Sequence, residues 1–156
     1  MLVCAVKVAV MSAPAPILRH PLLKKLFAHW RGFIQGNVPP LAVDLEPAGL
    51  RPWLGNLILM DASEKDRFVY AYYSQAFANA FGEDKSGQSL ESVPADQRAL
   101  LLAEYARVRA EAVPISRVYT ADFNGRTMTW ERLVLPLADE TGAVSKILVA
   151  AYPLDR

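Results

Sequence analysis

Apolar positions along this chain fall first into a helical rhythm and then into a strand rhythm. Leu22, Leu23, Leu26, Phe27, Trp30, Phe33 and Ile34 recur at three- and four-residue spacing. That spacing makes one broad apolar stripe on an amphipathic helix. Pro21 suits the first helical turn, where its missing N–H costs nothing. The pattern predicts a helix ending near Gly36-Asn37, and Pro39-Pro40 forbids its continuation. Leu41 to Pro52, with Pro47, Gly49 and Pro52, reads as loop with one helical turn after Asp44 or Glu46. The period then changes. Leu54 to Met60 is a short apolar run that reads as a buried strand. Arg67 to Tyr73 is aromatic and β-rich, with Phe68, Tyr70 and Tyr72 on one parity. The polar residues Ser63 to Asp66 join the two as a hairpin.

Ser74 to Phe81 has Phe77 and Phe81 four apart, which predicts a short helix with Gly82 after it. Glu83 to Val93 reads as loop or a broken turn. Pro94 to Ala112 is the clearest helix, with Leu100, Leu101, Ala103, Tyr105 and Val108 expected on its apolar side. Three strands follow: Ile115 to Phe123, Thr127 to Leu137 and Val144 to Tyr152. Asn124-Gly125 links the first two as a strong hairpin signal, since both positions tolerate positive φ. Strand groups separated by helices predict an α+β fold with an antiparallel sheet. Two strands cannot bury a face alone, so the first hairpin must join the last three strands. The expected architecture is a five-stranded antiparallel sheet with helices on one face and an extra N-terminal amphipathic helix. The expected division is a flexible tail over residues 1–16, that helix within 17–37, and one domain over 38–156.

Composition narrows the function classes. Of the 156 residues, 53% are hydrophobic and 21% charged, which fits one globular domain. Seventeen basic residues against sixteen acidic ones leave a formal charge of +1, too little to gather phosphates. Nucleic acid is therefore not expected as a partner. The densest basic group, Arg19, Lys24, Lys25 and Arg31, reads as the solvated face of the first helix. The single cysteine, Cys4, makes no internal disulfide, so the expected location is cytoplasmic. No apolar run reaches the roughly 18 residues of a membrane helix. Met1 to Val10 is apolar, but Lys7 interrupts it and no charged stretch precedes it, unlike a signal peptide. Met11 is an alternative start.

The order of elements resembles the PAS domain family, and local sequence strengthens the resemblance. Arg67-Phe68-Val69-Tyr70 leads to Ser74, then to Ala80-Phe81-Gly82-Glu83-Asp84 and Gly87-Gln88-Ser89-Leu90. Glu131-Arg132-Leu133-Val134-Leu135-Pro136-Leu137 and Gly142-Ala143-Val144 follow, and Asp44-Leu45-Glu46-Pro47 is a similar acidic-Pro segment. Together these look like a bacterial family of stand-alone PAS-like domains, over about Phe27 to Tyr152. The resemblance implies a PAS-like fold and a sensing or docking role in signal transduction. It implies no agreed ligand, so the cofactor is unknown.

Catalytic and cofactor signatures are sparse. The two histidines, His20 and His29, both lie at the first helix, away from the long helix where haem-binding PAS domains usually offer one. Cys4 is misplaced for a flavin–thiol adduct. Zinc spacing, a phosphate-binding glycine loop and a nucleophile elbow are all missing from the sequence. Asp122 and Glu131 read as solvated strand charges rather than an acid–base pair. The chain is therefore expected not to be an enzyme. Phe68, Tyr70, Tyr72, Phe77, Phe81, Tyr119 and Trp130 are placed under the helices, either filling the core or lining a ligand site. Arg132 lies mid-strand on an otherwise apolar parity and needs a partner. An anionic ligand and an internal salt bridge both remain open for it.

Three functions follow. A ligand-sensing module would use Tyr70, Tyr72, Phe77, Phe81, Tyr119, Trp130 and Arg132 around a small, anionic molecule. A pure docking module would form a homodimer, or bind a regulator protein, through Leu22, Leu26, Phe27, Trp30 and Phe33. A small isomerase-like enzyme of a related α+β barrel is disfavoured, because no Asp–Tyr pair is identifiable.

Overall fold

The first helix, α1 (Pro21–Arg31), opens with His20 as its N-cap, whose Nδ1 accepts the Leu22 N–H at 3.1 Å. Pro21 occupies the first turn, and the stripe buries Leu23, Leu26 and Trp30. The structure is a computed structural model that describes residues 16–36, 38–64, 67–81, 83–123 and 125–154. The expected tail, Cys4, Gly82 and Asn124 lie outside the described residues, Pro16 excepted. The helix stops before Gly36-Asn37. Gly32 caps it, and Phe33 and Ile34 continue only as turns on Trp30 and Arg31. Short 3-10 helices occupy Ala42–Asp44 and Arg51–Asn56. The second takes up Leu54, which the apolar run placed in a strand. Pro52 presets helical φ in its first turn, and Trp53 is buried.

The strands are β1 (Leu57–Asp61), β2 (Val69–Tyr73), β3 (Ile115–Phe123), β4 (Arg126–Ala138) and β5 (Val144–Pro153). They form one sheet in the order β2-β1-β5-β4-β3, antiparallel throughout. The first hairpin thus joins the last three strands through β1 and β5, as the burial argument requires. Gly125 (φ 75°) and Gly142 (φ 88°) supply the left-handed residues in the two late turns. Between the strand groups lie α2 (Gln75–Phe81), a 3-10 turn at Leu90–Ser92 and α3 (Ala95–Glu111). The α3 helix ends where Ala112 turns left-handed (φ 55°). Its inner face carries Leu101, Tyr105 and Val108, with buried Ala112 just beyond its end, whereas Leu100 and Ala103 are exposed.

Both faces of the sheet are covered. The inner face holds Met60, Tyr70, Phe77, Tyr105, Val134, Ile147 and Val149 beneath α2 and α3. The outer face packs Leu57, Leu133, Leu135, Leu137, Leu148 and Ala150 against Leu23, Leu26, Trp30 and Trp53. This is why β4 is buried without interruption from Trp130 to Ala138 instead of alternating. Two indole N–H groups pin the outer layer. Trp30 Nε1 donates to Pro136 O at 2.9 Å and Trp53 Nε1 to Leu22 O at 2.8 Å.

Candidate functional site

A charged cluster sits where α3 crosses β3 and β4. Arg132 lies on the inner parity of β4 and is only 8% exposed. Its Nη2 donates to Glu104 Oε1 at 2.5 Å. The other Glu104 oxygen accepts from Arg117 Nε on β3, and register places Arg117 directly opposite Arg132. Arg117 is 44% exposed, so it marks the solvent rim of the cluster. The Arg132 guanidinium also lies 4.9 Å from the Tyr119 ring centroid. Among the described residues, Arg132 Nε is buried without a hydrogen-bond partner.

The partner that Arg132 demands is thus an internal carboxylate, one the sequence reading passes over. A signal for it exists. Glu104 falls three residues after Leu101 and four before Val108, within the inward stripe of α3. An acidic residue on a helix core face and a basic residue on a strand core face are expected to meet. Burial works against the charge of Arg132. The Glu104 carboxylate bonded to it works the other way and holds the guanidinium protonated.

Aromatic rings surround this cluster. Tyr70 meets Tyr73 edge-on at 5.3 Å, Tyr73 meets Phe77 at 6.1 Å, and Phe77 meets Trp130 at 6.3 Å. Phe68 and Tyr105 form a further edge-on pair at 5.8 Å. Burial pushes the hydroxyls of Tyr70, Tyr105 and Tyr119 above the ordinary phenol range, and that of Tyr73 up to about 12. All four remain protonated donors near neutral pH.

Of the residues proposed for a ligand site, Tyr70, Phe77, Tyr119, Trp130 and Arg132 do face the inner layer. Phe81 sits at the end of α2, and its side chain is outside the described residues. Tyr72 does not join them. Leu59 pairs with Tyr72 and Met60 with Tyr70, so Ala71 is the extra residue of a β-bulge. The bulge reverses parity, turning Tyr73 inward and leaving Tyr72 exposed with its hydroxyl donating to Leu54 O at 3.0 Å. Tyr73 and Tyr105 take places in the site that the sequence reading gave to Tyr72.

Glu131 corrects another expectation. It is fully buried on the outer face rather than solvated. Its carboxylate accepts the Arg19 N–H at 2.9 and 3.0 Å and the His20 N–H at 2.8 Å. It therefore holds the start of α1, where unpaired N–H groups and the helix dipole favour a negative charge. The His20 ring stacks on Tyr152 at 4.6 Å beside it. Register puts Asp122 opposite Thr127 and Glu131 opposite Val118. Four residues of strand, about 13 Å, separate the two positions.

The stripe expected to seat a second copy is largely used within the chain. Leu26 and Trp30 are buried against the outer face of the sheet, while Leu22, Phe27 and Phe33 flank it half-buried. The reason is that β4 and β5 present an apolar outer face that needs a cover. Lys24, Lys25 and Arg31 are solvated, as expected. No described helix is long and apolar enough to cross a membrane. The described residues hold no group of three or more His, Cys, Asp or Glu placed to bind a metal.

A model of the PAS fold matches residues 65–155. No curated protein matches the chain. The PAS domain of BvgS from Bordetella pertussis is similar at a TM-score of 0.59 and 16% identity, over 73% of this chain and 87% of that one. A light-oxygen-voltage domain studied with a flavin analogue is similar at 0.52 and 19% identity, over 70% and 84%. VqmA bound to DPO is similar at 0.53 and 19% identity, over 70% of this chain but 57% of VqmA. At these identities the solved structures speak to fold alone. The match over residues 65–155, together with the β2-β1-β5-β4-β3 order, assigns the chain to the PAS fold family.

Proposed function

We propose that this chain is a sensory module that binds a small molecule on the inner face of its sheet. The observation that carries this reading is the Arg132–Glu104–Arg117 cluster among tyrosine hydroxyls. A core built only for packing gains nothing from a buried ion pair, since desolvation offsets the attraction and apolar residues do as well or better. A recognition site gains orientation from a few polar groups set in an aromatic surround. The neighbours are consistent with such use of the fold: one was solved with a flavin analogue in view and another bound to DPO. The proposed role is binding and signalling, with no catalytic step assigned to any residue.

Native mass spectrometry of freshly purified protein tests the reading, followed by thermal shift across a metabolite panel. The expected result is a bound small mass or a saturable rise in Tm. A ligand at a hundred times its Kd adds about 2.7 kcal/mol, roughly 5–10 °C for a domain of this size. An unliganded mass and no shift across the panel would refute it.

Docking without a ligand is the second reading, favoured by the half-buried Leu22, Phe27 and Phe33 and the exposed Val43. In that case the domain self-associates through the flank of α1. Light scattering of a concentrated sample that gives only a monomer mass would count against it.

A further inference from the structure

Resting on the small-molecule reading above, we infer that the site takes a monocarboxylate with an apolar body, and that Glu104 competes with it for Arg132. One carboxylate is shared between two guanidinium groups. Glu104 spends one oxygen on Arg132 Nη2 and the other on Arg117 Nε. The three side chains therefore carry one uncompensated positive charge. The Nε of Arg132 is buried and unpartnered among the described residues. A buried donor without an acceptor is rare enough to call for a missing group. A planar guanidinium edge that is half used is the natural seat of a carboxylate.

The surroundings set the rest of the ligand. Tyr119 stacks against the guanidinium, and Tyr70 and Tyr105 add neutral hydroxyl donors. These favour an anion and disfavour a cation. A single charge balances the cluster, and a second would stay buried without a counter-charge. Phe77 and Trp130, packed in the same core, are the apolar groups that the body of the molecule would meet on entering. Arg117 at the rim keeps hold of Glu104 when Arg132 changes partner.

The test measures Kd by calorimetry for acetate, benzoate, phenylacetate and indole-3-acetate, each beside its primary amide. At least one acid is expected to bind tenfold or more tightly than its amide. Glu104→Gln is expected to strengthen that acid at least tenfold by removing the internal competitor. Arg132→Gln is expected to weaken it by the same factor or more. A purely structural ion pair would weaken binding in both variants. If Glu104→Gln does not fold, Arg117→Gln serves, since it returns all of Glu104 to Arg132 and should weaken the acid several-fold while sparing the amide. Equal binding of acid and amide overturns the inference and leaves the small-molecule reading standing. So does failure of every acid when native mass spectrometry shows a bound neutral molecule. Failure of every acid with no bound mass at all removes both.

Discussion

Glu131→Gln isolates the charge that fastens α1 to the sheet. Two backbone donors, Arg19 N–H and His20 N–H, share the Glu131 carboxylate. Each hydrogen bond to a charged group contributes about 1.5–3 kcal/mol. The amide oxygen in the place of Oε1 still accepts from both donors, now as weaker neutral bonds, and an NH2 in the place of Oε2 faces the Arg19 N–H. The favourable contact with the helix N-terminus, about 0.3–2 kcal/mol, goes as well. The expected loss is about 2–4 kcal/mol out of a total of roughly 5–15. Urea unfolding followed by tryptophan fluorescence reads it directly, because Trp30 and Trp53 both lie in the outer layer. The midpoint should fall by about 1–2 M with an unchanged slope. Hydrogen exchange should also quicken at Leu23 and Lys24, whose N–H groups bond His20 O. A loss below about 0.5 kcal/mol, with those amides as protected as before, would show that the Glu131 charge does not fasten the helix. The apolar stripe alone would then hold the helix.

Three further outcomes are expected. Arg132→Met should cost about 3–5 kcal/mol by leaving Glu104 buried against a single partner. Adding Glu104→Leu should restore more than half of that in urea unfolding, and simple addition of the two losses would contradict the ion-pair account. Trp30→Ala should cost about 3–5 kcal/mol without changing the molar mass of the folded protein by light scattering, since the ring faces its own sheet. Above pH 10 the fold should weaken. The hydroxyl of Tyr73 is pushed up to about 12 and those of Tyr70 and Tyr105 upward as well, so the folded state keeps protons the unfolded chain releases. That contribution is complete below pH 10 and is lost as pH climbs toward 12. Phenolate absorbance of all six tyrosines, complete ahead of unfolding at the pH of free tyrosine, would contradict it.

Local spacing carried the elements, because apolar periodicity is a property of neighbours in sequence. The stripe from Leu22 to Trp30, the run into Gly125 and the three late strands were legible without any tertiary contact. So was the need of Arg132 for a counter-charge, since its parity alone marks it as buried. Parity fails where the ladder slips. Nothing in Tyr70-Ala71-Tyr72-Tyr73 announces that Ala71 bulges, yet that one residue exchanges Tyr72 for Tyr73 in the site. Identity of partners lay beyond the sequence for a different reason. Glu104 reaches Arg132 across 28 residues and Arg19 reaches Glu131 across 112, separations that only the packed sheet closes. The same holds for α1. Its apolar stripe demands a cover, but periodicity cannot say whose, and the free outer faces of β4 and β5 decide in favour of its own chain.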